Sequence, residues 1–103
     1  MTTVFNIKKG DYHRRIQLDL TEFTTTDATG VVFRMRPRGG GALVVDDGAG
    51  DLDSSTRVSY QFQVPELDTA GSFQLEASVV FPDGRETVPT TGFVTVTIHE
   101  VLS

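Results

Sequence analysis

The segment from Ser72 to Phe81 constrains the fold of this chain more than any other part of the sequence. Apolar residues fill every second position in it, at Phe73, Leu75, Ala77, Val79 and Phe81. The positions between them are mostly polar. Because side chains alternate between the two faces of a β-sheet, this pattern predicts a long strand with one buried face and one wet face.

The rest of the sequence indicates further short strands separated by turn residues. Besides residues 72–81, we predict strands at 4–7, 14–20, 31–36, 42–45, 57–64, 85–88 and 93–100. Turn signatures such as Pro82-Asp83-Gly84 lie between them. About eight short strands at regular spacing, with no amphipathic helix of useful length, predict a single all-β domain over residues 1–103, built as an antiparallel sandwich of about 7–8 strands.

Amino-acid composition indicates the cellular compartment in which this domain folds. The chain has no cysteine, so disulfides and thiolate metal sites are excluded, and folding in a reducing cytoplasm is expected. The first residues place their charges after a short apolar run, which is not the order of a signal peptide. No apolar stretch reaches transmembrane length, so we expect no membrane partner.

Charge is unevenly distributed along the chain. The net charge of −5 argues against a general nucleic-acid binder. Residues 1–41 hold seven basic and four acidic side chains, a net of +3, whereas residues 42–103 hold two basic and ten acidic, a net of −8. Two interpretations stay open: an ordinary solvated surface, or the docking of a basic face on the acidic face of a neighbouring copy.

Residues suited to catalysis are scarce. Both histidines, His13 and His99, have the outward parity of their strands. The chain lacks a Gly-x-Ser-x-Gly elbow, and Gly39 to Gly41 is followed by neither lysine nor a helix start. We therefore expect no enzyme activity, no catalytic residues and no cofactor.

An acidic segment, residues 46–55, is the best candidate for a metal site. Asp51, Asp53 and Ser55 space three oxygen ligands as in the first half of a calcium loop. The sixth and twelfth positions are not the glycine and glutamate that an EF-hand requires, and the segment is expected to join strands. We predict an exposed polar hairpin loop, and a calcium site of another type is the weaker alternative.

Three groups of residues are candidates for docking onto other proteins. They are the first predicted strand with Val4, Phe5 and Ile7, the arginines Arg34, Arg36 and Arg38, and the apolar pair Val101 and Leu102. A terminal strand offers unpaired backbone groups to a partner strand. Deleting residues 1–6 is therefore expected to weaken assembly without unfolding the domain. The arginines lack nearby aromatic platforms, so we do not expect nucleic-acid binding.

Several motifs occur in an order that resembles a known family. They are Val31-Val32-Phe33-Arg34-Met35-Arg36-Pro37 before a glycine run, Val58-Ser59-Tyr60-Gln61-Phe62, Asp68-Thr69-Ala70-Gly71-Ser72-Phe73, Phe81-Pro82-Asp83-Gly84-Arg85, and Pro89-Thr90-Thr91-Gly92-Phe93. Together they resemble the immunoglobulin-like domains of tailed-bacteriophage virion proteins, in particular the N-terminal domain of upper baseplate proteins. The resemblance implies an immunoglobulin-like β-sandwich that attaches to the virion as a structural adaptor without catalytic residues.

The resemblance also sets the expected location and partners. The expected partners are other virion proteins, in symmetric multiple copies, in particles assembled in the cytoplasm of the bacterial host. Relatives of this kind usually continue into a stalk, so a chain ending at Ser103 is expected to decorate a capsid or to act as a tail, baseplate or neck adaptor. Adhesion to a host-surface glycan is the alternative function, although Tyr12 and Tyr60 are the only tyrosines and tryptophan is absent.

Overall fold

The computed structural model describes residues 4–90 and 92–102. Over these residues the chain forms nine strands in two sheets. The strands are β1 (Val4–Lys8), β2 (Arg15–Asp19), β3 (Gly30–Pro37), β4 (Val45–Ala49), β5 (Asp51–Ser54), β6 (Arg57–Gln61), β7 (Gly71–Phe81), β8 (Gly84–Val88) and β9 (Val94–His99). Within the described ranges, no helix is long and apolar enough to cross a membrane. The predicted all-β sandwich is confirmed.

The larger sheet has six strands in the order β1-β9-β7-β3-β4, with β8 also paired to β7. The smaller sheet has the order β2-β6-β5. Neighbouring strands run antiparallel, except that β1 runs parallel to β9. Strand β7 is the centre of the larger sheet, because it pairs with β3 along most of its length and with β8 and β9 on its other side.

The alternation that predicted β7 also describes its burial. Phe73, Leu75, Ala77 and Val79 are all buried in the core between the sheets. Ser78 departs from the prediction, because it is also buried although it lies on the outer face. Its hydroxyl accepts a hydrogen bond from Arg34, which covers it. A wet face of a sheet thus becomes locally dry where a long side chain lies across it.

Strands β8 and β9 act as one strand interrupted opposite the middle of β7. Val88 pairs with Ala77 and Val94 pairs with Leu75. Glu76 is therefore the one residue of β7 between the two pairings. The ladder is interrupted there, as at a large β-bulge, and Phe93, which precedes β9, is partly exposed at the protein surface.

The acidic segment corrects the sequence prediction. Residues 42–45 were predicted as a strand and 46–55 as a loop, but the structure places β4 and β5 within residues 45–54. Strand β4 pairs with β3 of the larger sheet and β5 pairs with β6 of the smaller one. The chain therefore crosses from one sheet to the other at Gly50, where a side chain would collide with the Phe33 ring and the Ser59 carbonyl oxygen.

Aromatic rings fill the centre of the core. The rings of Phe33 and Tyr60 stack with centroids 5.2 Å apart, and Phe62 meets Tyr60 edge-on at 5.4 Å. Such offset and edge-on arrangements are the favoured geometries of aromatic pairs. Gly48 lies directly against the Tyr60 ring, where an added Cβ would approach to 2.7 Å. The glycines of the acidic segment are thus required by the aromatic core.

The turn before β7 is held by a tyrosine from another part of the chain. Phe73 stands where many sandwiches have a tyrosine, and it is buried. The hydroxyl of Tyr12 instead donates to Asp68 Oδ1 at 2.7 Å and accepts from the Leu67 backbone N–H at 2.8 Å. Burial and the hydrogen bond to Asp68 raise the pKa of Tyr12, although the bond from Leu67 opposes this. Tyr12 therefore makes the backbone bond that Phe73 cannot make.

Candidate docking surface

Two of the predicted arginines lie on the outer face of the larger sheet. On β3, Phe33 and Met35 point into the core, so Arg34 and Arg36 project outward. Arg34 is paired with Glu76 and Arg36 with Gln74 across the β3–β7 ladder. The side chains of these four residues form the floor of the candidate docking surface.

Arg34 is fixed in place and its charge is neutralised. Its Nε lies 3.2 Å from Glu76 Oε1 and its Nη1 lies 3.0 Å from Asp47 Oδ1. Its side chain is only 17% exposed. Burial lowers the pKa of Arg34, but the hydrogen bonds to Asp47 and Glu76 outweigh it and the net shift is upward. Arg34 therefore stabilises the sheet and does not offer the free docking charge that the sequence suggested.

Arg36 is held more loosely and remains available to a partner. Its Nε lies 3.4 Å from Gln74 Oε1, and its guanidinium carbon lies 5.9 Å from the centroid of the Phe93 ring. No ion pair joins it to a carboxylate within the described residues. Arg36 thus presents a positive charge stacked beside an aromatic ring, an arrangement that fits recognition of a carboxylate.

Leu43 and Phe93 flank this floor and complete a groove of about 280 Å³. Leu43 lies in the β3–β4 connection and is 40% exposed, whereas Phe93 lies between β8 and β9 and is 39% exposed. The volume of the groove lies near the lower limit of the range of about 300–1,000 Å³ that small-molecule pockets have. Its composition, an arginine between apolar and aromatic side chains, is typical of the central part of a protein–protein interface.

The first strand, β1, forms an edge of the larger sheet, but only part of it is exposed. Val4 is 53% exposed, whereas the Ile7 side chain is buried in the core, so Ile7 offers a partner only its backbone groups. Phe5 is half-buried, with its ring centroid 6.4 Å from that of Phe62. Removing residues 1–6 would take Phe5 from the core and is expected to cost stability, contrary to the expectation from the sequence.

Arg14 covers the open side of β1. Its Nη1 donates to the Asn6 backbone carbonyl at 3.0 Å, and its guanidinium carbon lies 5.0 Å from the centroid of the Phe5 ring. A charged side chain over an edge strand is one of the ways in which proteins block unwanted strand pairing. A partner strand must therefore displace Arg14 before it can bond to Asn6.

The remaining predicted docking residues lie apart from the groove. Arg38 is exposed just beyond β3, where its backbone N–H donates to the Ser72 carbonyl. Val101 and Leu102 follow β9 and are both exposed, Leu102 by 98%. The structure thus brings together Arg34 and Arg36 and leaves the other candidates at the β1 edge and beyond β9.

The candidate metal ligands lie on a strand and its turn. Asp51 and Asp53 belong to β5, Ser55 follows in the turn to β6, and the Asp51 carboxylate is paired with the Arg15 guanidinium. In the described part of the chain, no group of three histidine, cysteine, aspartate or glutamate side chains converges as a metal site would require.

The histidines and tyrosines considered for catalysis or sugar stacking do not line the groove. His99 Nε2 lies 2.9 Å from Asn6 Oδ1, and both His99 and His13 are exposed. Tyr60 is buried, and its hydroxyl donates to the Glu66 carboxylate at 2.8 Å. Burial, with a smaller effect of Glu66, raises the pKa of Tyr60. Tyr12 is half-buried in its bond to Asp68.

Folding joins the two differently charged halves of the sequence. Each ion pair of the described residues links a residue before position 42 with one after it: Lys9–Glu100, Arg15–Asp51, Arg34–Asp47, Arg34–Glu76 and Arg57–Asp19. Charges from the two halves of the sequence are therefore neighbours in the fold at these five pairs. Arg36 remains outside them.

Sequence reasoning missed the two apolar flanks of the groove. Phe93 was assigned to the last strand and Leu43 to a short strand, whereas both stand in connections. Pro89 and Gly92 near Phe93 were the available signal, since both residues disfavour a continuous ladder. Compared with known proteins, the chain matches no protein-family model and no curated protein.

Proposed function

We propose that this protein is a non-enzymatic structural component of a tailed-bacteriophage virion, which docks onto other virion proteins through the groove on the outer face of its larger sheet. The observation that carries the proposal is the joint exposure of Leu43, Arg36 and Phe93 around that groove. The β1 edge, with Val4, is the second contact surface in this proposal.

The chemistry of the groove favours a protein partner. Exposed apolar side chains such as Leu43 and Phe93 gain free energy when a partner removes them from water, by about 25 cal/mol for each Å² buried. Arg36 adds direction, because its planar guanidinium favours a carboxylate at a defined position. A neighbouring protein that offers an apolar side chain and an acidic one meets both requirements.

The setting of the groove also favours docking over catalysis. In the described part of the chain, its lining contains neither histidine nor a hydroxyl side chain. Glu76, its one carboxylate, is held by Arg34 at 3.2 Å. A general base must be free to accept a proton from a substrate, and this carboxylate is committed to its ion pair.

The phage context is supported by the resemblance of the motif order to immunoglobulin-like virion domains. The motif Asp68-Thr69-Ala70-Gly71-Ser72-Phe73 enters β7, and Pro82-Asp83-Gly84 turns β7 into β8. Both motifs lie at the ends of β7, the central strand of the larger sheet in this two-sheet scaffold. Such a scaffold suits a part that is repeated many times in a symmetric particle.

Incorporation into particles tests the proposal. Tagged wild-type protein is expressed in the host during phage growth, and gradient-purified particles are analysed by mass spectrometry. We expect the wild type in the particles and a large loss of Arg36→Glu and of Phe93→Asp, each shown separately to be folded. Arg85→Glu, which changes an exposed arginine outside the groove lining, is the matched control and is expected to incorporate normally. Absence of the wild-type protein from particles would refute the proposal.

A further inference from the structure

The segment that follows β9 has the chemistry that the groove requires. Glu100 supplies a carboxylate, and Val101 and Leu102 supply two exposed apolar side chains. Glu100 contacts Lys9 within its own chain at 3.7 Å. The side chains of Glu100 and Lys9 are both exposed, so this ion pair contributes little to stability and is readily exchanged for another.

The groove offers the complementary groups in a compatible arrangement. Arg36 carries a positive charge outside the ion pairs of the described residues, and Leu43 and Phe93 stand on either side of it. An acidic side chain beside two aliphatic ones therefore satisfies the charge and covers the apolar flanks. Charge complementarity of this kind determines orientation and the rate of encounter more than affinity.

The segment does not occupy the groove of its own chain, because Leu102 is 98% exposed. Phe93 lies five residues back along the extended strand from Ile98, which is roughly 17 Å at about 3.4 Å per residue. The four Cα–Cα steps from Ile98 to Leu102 span at most roughly 14 Å when fully extended. The segment would also have to reverse direction to approach Phe93, so the segment of another molecule is better placed to occupy the groove.

We infer that residues Glu100 to Leu102 of one copy dock in the outer-face groove of a second copy, with Glu100 bound to Arg36 and Leu102 between Leu43 and Phe93. This inference rests on the proposed docking role of the groove and names its partner. The contact joins two different surfaces, so it is heterologous and builds a closed ring or an extended chain of copies. A contact of three residues is weak alone and becomes effective when it is repeated in a particle.

Sedimentation of the purified full chain over a range of concentrations tests the inference. We expect reversible self-association of the wild type that is weakened at least tenfold by Arg36→Glu and by Glu100→Arg. Leu102→Asp removes the apolar contact and is expected to weaken association by a similar factor. Arg85→Glu is the control and should associate as the wild type does. Thermal unfolding of each variant shows whether its fold is intact.

Mixing two variants gives a sharper result. Arg36→Glu retains an intact segment and Glu100→Arg retains an intact groove, so an equimolar mixture is expected to associate more strongly than either variant does alone. Failure of the mixture to associate would overturn the inference. Wild-type association that neither substitution weakens would also overturn it, as would a wild type that stays monomeric at millimolar concentration. If Arg36→Glu is lost from particles while the wild type does not self-associate, the groove binds a different virion protein; the inference then fails and the proposed function stands.

Discussion

Substitution of Gly50 by alanine tests the way in which the two sheets are joined. Gly50 is the point at which the chain leaves β4 and enters β5. A Cβ built there lies 2.5 Å from Phe33 Cε1 and 2.7 Å from the Ser59 carbonyl oxygen. Phe33 is fully buried and stacked on Tyr60, and the Ser59 oxygen belongs to the backbone of β6. Neither atom can move away without disturbing the core.

The size of the effect follows from two opposing terms. Overpacking of a well-packed core costs about 1–3 kcal/mol. Replacing glycine by alanine also restricts the unfolded chain, which returns about 0.4–1 kcal/mol. We therefore expect Gly50→Ala to lower the free energy of unfolding by about 1–2 kcal/mol. In a domain of this size that corresponds to a fall in Tm of roughly 5–10 °C.

Urea and thermal unfolding of Gly50→Ala and a matched control measure the effect. Gly39→Ala is the control, because an added Cβ at Gly39 meets nothing within 4 Å and its φ is not in the left-handed region. We expect this control to be as stable as the wild type or slightly more stable. A further substitution, Phe33→Leu, makes room beside the new methyl group, so the combined cost should be less than additive. Equal stability of Gly50→Ala and the control would refute the sheet-crossing argument.

Three further predictions concern other parts of the fold. The pKa of Tyr60 is raised in the folded state, so the folded protein keeps a proton that the unfolded chain releases above about pH 10. The free energy of unfolding should therefore fall as the pH rises above about 10, and it should fall less steeply in Tyr60→Phe. Urea titrations across that pH range measure this difference. Phe5→Ala should lower the free energy of unfolding by about 1–2 kcal/mol, whereas Val4→Ala should change it by less than about 0.5 kcal/mol; equal effects in chemical unfolding would contradict the burial assigned to β1. Arg14→Ala should increase aggregation, measured by light scattering during incubation, and unchanged scattering would contradict its role in covering the β1 edge.

Strands with an apolar alternation could be located from the sequence alone. The predicted segments at 72–81 and 31–36 correspond to β7 and β3 within one residue at each end, because in each strand one face is buried and the pattern records it. The acidic strands β4 and β5 carry no such alternation. They form because their backbones pair with β3 and β6, and because Gly48 and Gly50 fit against aromatic rings, which are contacts between distant parts of the chain.

The candidate docking surface was only partly predictable for the same reason. The alternation along β3 predicted that Arg34 and Arg36 lie on the outer face. It could not show that Glu76 and Asp47 neutralise Arg34 while Arg36 remains available. The position of Phe93 depends on the break between β8 and β9 opposite Glu76. Pro89 and Gly92 indicate the break, but the register that places it opposite Glu76 depends on the pairing of β8 and β9 with β7.

A photo-crosslinking amino acid placed at position 93 gives the most direct test of the proposed docking surface. The side chain of Phe93 is partly exposed at the rim of the groove, so a benzophenone side chain in its place contacts whatever occupies the groove. Irradiation of purified particles is predicted to join this position to another virion polypeptide, identified by mass spectrometry. The same group at Gln17, an exposed position on β2 of the smaller sheet, is predicted to give little of that product. Cross-linking at Gln17 but not at position 93, in particles that contain both variants, would contradict the account.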